Sequence, residues 1–369
     1  MVLPELMGYD QAFVIHFAEV CGKARVRAMK IGIVGYQGAG KSTLFHWLTG
    51  EKPDPVLVHK TQAAMAAVPE PRVEALCQIY KPKKVTLAAL ELIDTPGLSR
   101  THEGSATRLA MIREAGCLVI VVAAFEGSDP AADLRSFEED LLIADLDIVS
   151  GRIERLNEAV RKPRPNREEY QTELNALIPL QQALEQGHSL HQIEMTPDQQ
   201  RATRSFQLFS EKPRLIVINT SDTEDNPDRF LDLAPAGAHL FAVSLGLEME
   251  LASMDPAERT AFCEEMEVHP FDRNRLIRTM MDTSGQMLFF TAGEKEVRTW
   301  MIRRGGTAVE AAGNIHTDLA QGFIRAETMK VADLVRLGSE REIKAHNLVR
   351  QEPKDYVIQD DDILLIRHN

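Results

Sequence analysis

Gly35-Tyr36-Gln37-Gly38-Ala39-Gly40-Lys41-Ser42 follows directly on the apolar run Ile31 to Val34 and leads through Thr43 into Leu44, Phe45, Trp47 and Leu48 at helical spacing. Strand, glycine loop and amphipathic helix in that order predict a loop that wraps a phosphate chain. Glycines let the main chain approach an anion without Cβ clashes, so that backbone N–H groups converge on it, and the helix starting near Ser42 turns its positive end the same way. Lys41 is expected to neutralise the outer phosphates and the Ser42 hydroxyl to reach Mg²⁺. The expected nucleotide contacts are therefore Gly35, Gln37, Gly38, Ala39, Gly40, Lys41, Ser42 and Thr43, and the expected ligand is a nucleoside triphosphate.

Working outward, strand-like runs at Ile31 to Val34, Ala88 to Ile93, Leu118 to Ala123, Leu215 to Asn219 and Leu240 to Ser244 alternate with helical segments. Such alternation predicts an α/β fold, a mostly parallel sheet with helices on both faces, whose ligands bind at the carboxyl ends of the strands. Between the third and fourth runs, Leu142, Leu146, Val149, Ile153, Leu156 and Val160 form a heptad seam. The spacing predicts an antiparallel helical hairpin inserted over about Asp133 to Phe209, with Asn166 and Glu169 as a capping box and Pro179 kinking or breaking the second arm. From about Gly285, short alternating runs (Met287 to Thr291, Glu296 to Ile302, Gly322 to Glu327, Ile363 to Arg367) and a helix near Thr307 to Ala312 predict a small α+β unit.

The bulk numbers bound the function. A chain of 369 residues is long enough for two or three domains, and its four scattered cysteines argue against zinc or a disulfide framework and for a reducing compartment, by default the cytoplasm. The net charge of −13 repels RNA at long range, so any nucleic-acid contact needs local basic patches. No run approaches the roughly 18 apolar residues of a membrane span. Residues 1–28 read as a leader outside the fold, with Met29 a plausible start; an extra helix packed on the core is the alternative.

Asp94-Thr95-Pro96-Gly97 follows the second strand, where Asp94 can hold Mg²⁺ through water and the Gly97 N–H can face the γ-phosphate. Asn219-Thr220-Ser221-Asp222 matches a base-reading Asn-Lys-x-Asp pattern with Thr in place of Lys, and Ser244-Leu245-Gly246 stands where Ser-Ala-Lys closes over the base. Taken with Val68 to Arg72, Leu142 to Leu146, Ser205 to Leu208, Phe289 to Arg298, Ile315 to Asp318 and Gly322 to Glu327, the chain from Met29 to Asn369 resembles the YchF-type Obg-like ATPase family of P-loop GTPases. That resemblance implies a nucleotide domain at 29–132 and 210–284, an inserted coiled coil at 133–209 and a ubiquitin-like TGS domain at 285–369. It also implies a ribosome or another RNA–protein assembly as partner, through the arm and the TGS domain.

The chain departs from that pattern in ways that bear on chemistry. Leu98 stands at the position where Ras-like enzymes use Gln to orient water, and it has no hydrogen-bonding atom. His102 and Glu103 in the loop behind it are candidate general bases, and Thr61 in a short first switch is a candidate γ-phosphate and Mg²⁺ contact. Gly38 replaces the Asn that relatives use beside a monovalent cation, which puts potassium stimulation in doubt. Asp222 is of the type that pairs with guanine, whereas the missing Lys at Thr220 fits the ATP-preferring pattern, so ATP and GTP both stay open. In the C-terminal unit, His316, Arg325 and the pair Arg303-Arg304 are the candidate RNA contacts. The leading expectation is a slow ATPase or GTPase switch, with Lys41 and Gly97 at the reacting phosphate. A nucleotide-gated binding protein without catalysis is the alternative, and a small-molecule kinase is disfavoured by the base-site motifs.

Overall fold

Unbroken runs of Val, Ile and Leu suit strands covered on both faces, and the chain builds its first sheet from them. The computed structural model describes residues 29–369 except 58–59, 101–104, 126, 163–164, 225 and 236; the expected leader and the pair His102 and Glu103 lie outside the described residues. The order begins β1 (Lys30–Val34), α1 (Lys41–Thr49), β2 (Gln62–Ala67), α2 (Arg72–Tyr80), β3 (Val85–Thr86), β4 (Ala89–Asp94), α3 (Ser105–Ile112) and β5 (Cys117–Ala124). After the helical segment come β6 (Arg214–Thr220), β7 (His239–Val243), α7 (Leu245–Ser253), α8 (Pro256–Glu265) and α9 (Arg273–Thr283). The strands stand in the order β2-β4-β1-β5-β6-β7. Neighbours run parallel except β2, which pairs antiparallel with β4 and sets Gln62 opposite Asp94. Every residue of β5 and β6 is buried. One face packs under α1 through Leu44, Phe45, Trp47 and Leu48, and the other under α3 and the long helix α4 (Pro130–Val160) through Leu109, Ile112, Leu134 and Phe137.

Among the described residues, the α-helices between β5 and β6 are α4 (Pro130–Val160), α5 (Arg167–Glu185) and α6 (Pro197–Thr203). Asp129 caps α4, its side chain accepting from the Ala132 N–H, with Pro130 in the first turn. Val149, Ile153 and Leu156 of α4 pack with Leu174, Leu177, Leu180 and Leu184 of α5, and Leu142 and Leu146 join them partly buried. The expected break at Pro179 and the expected cap at Asn166 are corrected here. Pro179 sits inside α5 without ending it, because the leucines on either side are held against α4, and in proteins such packing outweighs a lost helix hydrogen bond. Asn166 makes no side-chain cap hydrogen bond; its backbone is not in the extended conformation that an N-cap side chain needs.

The rest of the chain forms β8 (Gln286–Ala292), β9 (Val297–Arg303), α10 (Ala308–Ile315), α11 (Thr317–Gln321), β10 (Phe323–Lys330), α12 (Val331–Leu337), α13 (Glu340–Ala345), β11 (Arg350–Glu352) and β12 (Asp362–His368). Its mixed sheet has the order β11-β10-β12-β8-β9-β3, so it takes in Val85–Thr86, far upstream. Register places Val85 beside Val297 and Thr86 beside Arg298. Val73 and Leu76 of α2 pack against Phe290, Val331, Leu334 and Ile363. At the rim of that contact Arg72 pairs with Glu70 at 2.7 Å and Asp360 at 3.1 Å, its guanidinium over the Phe290 ring. Among the described residues, no helix is long and apolar enough to cross a membrane.

Candidate functional site

The loop between β1 and α1 folds as its glycines allow. Gly40 caps α1 at φ 101°, and a Cβ there would collide with Asn219 Nδ2, so only glycine fits both the left-handed backbone and the neighbour. Gln37 and Gly38 are exposed at the loop's crest, whereas Ala39 is packed beneath it. Lys41 is 7% exposed, and its Nζ donates to the Tyr36 carbonyl at 2.7 Å. Burial lowers its pKa to about 8; nearby Asp94 acts in the opposite sense, and Arg108 adds to the lowering. A buried ammonium in this state gains most from an anion placed beside it.

At the end of β4, the Ser42 hydroxyl donates to Asp94 Oδ2 at 2.6 Å. The other carboxylate oxygen, Oδ1, is buried with no hydrogen-bond partner among the described residues, and burial pushes the Asp94 pKa up. A hydroxyl beside an unsatisfied carboxylate oxygen is a donor set that suits a hard divalent cation such as Mg²⁺. Thr61 lies exposed one residue before Gln62, the strand partner of Asp94, and among the described residues no hydrogen bond joins it to Ser42 or Asp94.

Gly97 closes the site from above. A Cβ on it would meet Lys41 Nζ at 2.6 Å and the Gln37 N and Cα at 2.8 and 2.9 Å. The next residue is stitched to the loop, with the Leu98 N–H donating to the Gly35 carbonyl at 3.1 Å and the Gln37 N–H to the Leu98 carbonyl at 3.0 Å. The Leu98 side chain is 0% exposed, among Tyr36, Leu109, Ile112 and Phe137. It turns away from Lys41 because an isobutyl group finds its partners in the core.

At the carboxyl ends of β6 and β7, Asn219 donates from Nδ2 to the Ala39 carbonyl at 3.1 Å and accepts from the Leu245 N–H at 3.2 Å. Both ends of that amide tie loops together. Asp222 accepts from the Ser244 hydroxyl and from the Leu247 N–H, with Gly246 against it, so that a Cβ there would lie 2.8 Å from Asp222 Oδ1. The Leu245 side chain belongs to the core, leaving its backbone for any ligand contact. Beside Asp222, the half-exposed Phe125, Gly127, Ser128, Ser221, Thr223 and Arg229 line an open hollow of about 460 Å³.

Several residues escaped sequence reading. Tyr36, inside the phosphate loop, donates its hydroxyl to Asp140 Oδ2 of α4 at 2.9 Å and meets Phe137 edge-on. Arg100 binds Asp133 of α4 at 2.6 and 3.1 Å and lies over the Tyr36 ring. Asp145, 0% exposed, accepts from the Phe209 and Ser210 N–H groups at 3.0 and 2.7 Å and from Arg113 at 3.1 Å. Acids on the buried face of α4 were the available signal, since a buried carboxylate requires partners. Of the expected RNA contacts, His316 caps α11, Arg304 pairs with Asp282 at 2.7 Å, Arg325 lies 3.8 Å from Glu327, and Arg303 is exposed.

Comparison with known proteins agrees with this geometry. Residues 30–150 match a family model described as a 50S ribosome-binding GTPase, and residues 287–369 match the YchF-GTPase C-terminal model, described as a protein of unknown function. The chain is 32% identical over 362 residues to the "Ribosome-binding ATPase YchF" of Haemophilus influenzae, covering 92% of this chain and 99% of that one. It is 34% identical over 366 residues to "Obg-like ATPase 1" of Oryza sativa subsp. japonica, covering 92% of each. Its structure is similar to that of the Schizosaccharomyces pombe YchF GTPase, with a TM-score of 0.78 and 26% identity over 92% of this chain and 97% of that one.

Proposed function

The chain belongs to the YchF/Obg-like ATPase family, and from that membership we propose that it works as a nucleotide-operated switch whose partner is the ribosome. It is a P-loop purine-nucleotide hydrolase. The observation that carries the proposal is the meeting of Lys41, Ser42, Asp94 and Gly97 at one point, with Ser42 on Asp94 and Gly97 against Lys41. In this reading the amides from Gly38 to Ser42 cradle the β- and γ-phosphates, Lys41 neutralises them, and the Gly97 N–H senses the terminal group. Ser42 and Asp94, with Thr61 from the first switch, would hold Mg²⁺, which when bound spreads the charge of the phosphate oxygens. Leu98 gives the attacking water no orienting group, so a low intrinsic rate is expected. Asn219, Asp222 and the backbone at Ser244 to Gly246 frame the base, ATP or GTP.

The switch reading draws support from the links to α4. Tyr36 joins the phosphate loop to Asp140, and Arg100, three residues beyond Gly97, binds Asp133. A change at the γ-phosphate therefore has two direct routes into the helical hairpin, which we propose as a docking arm. The unit from about residue 285 is proposed as a TGS-like domain that adds RNA contact. The test is a titration of the purified chain with ATP and GTP in the presence of Mg²⁺, followed by phosphate release with and without ribosomes. Saturable binding with release above the no-protein rate is expected, and faster with ribosomes. Silence in calorimetry at millimolar nucleotide refutes the site, and release that ribosomes leave unaltered refutes the partner.

A further inference from the structure

With Leu98 sealed in the core, the side chain that reaches the phosphate-sensing glycine comes from the next helix. Arg108, half-buried on α3, donates from Nη1 to the Gly97 carbonyl at 2.8 Å. Gly97 in turn lies against Lys41 Nζ, so a guanidinium and an ammonium flank one glycine. Among the described residues, no carboxylate forms an ion pair with Arg108. A polyanion bound between the loop and Gly97 would meet both cations at once.

We infer that Arg108 supplies a second cation beside Lys41: it is a cis-acting cation that holds Gly97 in place and stabilises the charge on the terminal phosphoryl group during its transfer to water. In that step the water oxygen bonds to the γ-phosphorus and the bond from phosphorus to the β–γ bridging oxygen breaks. The bridging oxygen keeps the electron pair and leaves with the nucleoside diphosphate, and the proton released by the water ends on inorganic phosphate. The charge shared between bridging and terminal oxygens is what a second cation beside Lys41 meets. No sequence rule pointed to Arg108, because it lies eleven residues past Gly97 and only the turn of α3 brings it back.

The inference rests on the hydrolase reading, and the experiment separates the two. Arg108→Ala, Arg108→Gln and Arg108→Lys are made in the full chain, and each is checked by thermal melting. Gln can keep a hydrogen bond to the Gly97 carbonyl without the charge, and Lys keeps the charge without the fork. Phosphate release is measured beside affinity for a non-hydrolysable triphosphate analogue and for the nucleoside diphosphate with fluoroaluminate, which mimics the transferring group. Arg108→Ala and Arg108→Gln should slow release on the order of 10²-fold and lose the fluoroaluminate complex, with the analogue's affinity changed less than about threefold. Arg108→Lys should restore part of both. Wild-type release in the Ala and Gln variants, or equal loss of both affinities, overturns the inference alone. A wild-type chain that neither releases phosphate nor binds the fluoroaluminate complex overturns the hydrolase reading and this inference with it.

Discussion

Gly97→Ala tests the closure of the site with a single methyl group. The added Cβ would stand 2.8 and 2.9 Å from the Gln37 N and Cα, and 2.6 Å from Lys41 Nζ. The lysine end can swing aside, but the Gln37 backbone is part of the loop. Restoring ordinary contact against it opens the segment by about 0.5 Å or more. The Leu98 N–H to Gly35 and Gln37 N–H to Leu98 carbonyl bonds, now 3.1 and 3.0 Å, then stretch past hydrogen-bond range. Two such bonds contribute roughly 1–3 kcal/mol together. Passed to the transition state at about 1.4 kcal/mol per tenfold, that slows hydrolysis about 5- to 150-fold. The loop amides from Gly38 to Ser42 are untouched, so affinity for the diphosphate should stay within about twofold. Single-turnover phosphate release and diphosphate calorimetry on the same preparation read both quantities. A variant that hydrolyses at the wild-type rate, or loses diphosphate binding as severely as hydrolysis, refutes the reasoning.

Further outcomes are expected. Asp145→Ala strips the partner from two backbone N–H groups and Arg113, and should cost about 3–5 kcal/mol, with Asp145→Asn intermediate; urea unfolding within about 1 kcal/mol of wild type contradicts the buried-hub assignment. Lys41, with a folded pKa of about 8 against the ordinary 10.5, binds fewer protons folded than unfolded between those values, so its penalty to the ligand-free chain is full below about 8 and fades as the pH rises toward 10.5. Triphosphate affinity runs the other way, falling as the pH climbs through about 8, while Lys41→Ala binds weakly at every pH; calorimetry across that range should show a sloping profile, and a flat wild-type profile speaks against Lys41 at the phosphates. Tyr36→Phe keeps the ring against Phe137 but removes the hydroxyl from Asp140, at about 1 kcal/mol. If the loop and the arm are coupled, protease protection of α4 should then respond less to nucleotide than in wild type; an unchanged response refutes the link.

The parallel strands and the phosphate loop were legible because each is a local pattern: an apolar run of fixed length, or glycines at fixed offsets. β2 was missed because Ala63, Ala64, Ala66 and Ala67 are weak strand formers, and they are held extended by pairing with β4 and not by propensity. β3 has two residues and no period to read. Pro179 misled because a helix rule was applied without the tertiary contacts of Leu177 and Leu180. The motifs that carry Lys41, Ser42, Asp94 and Gly97 are local in the sequence, and the structure brings those four residues together. Arg108, Tyr36 and Phe125 are placed by contacts that the fold makes, and the burial of Leu98 depends on Tyr36, on α3 and on α4, which are apart in the chain.

The short strand β3 runs through Leu87 and Ala88 straight into β4, the strand that ends on Asp94. A fragment cut at residue 285 would leave the Val297–Arg298 edge bare, a template for sticking to other chains, and the amino-terminal fragment would carry an orphaned ribbon. Strand β3 is thus one of the threads that sew the two lobes together, and its far end sits beside the phosphate loop, so that dissecting this protein by truncation maps the seam before it maps either part.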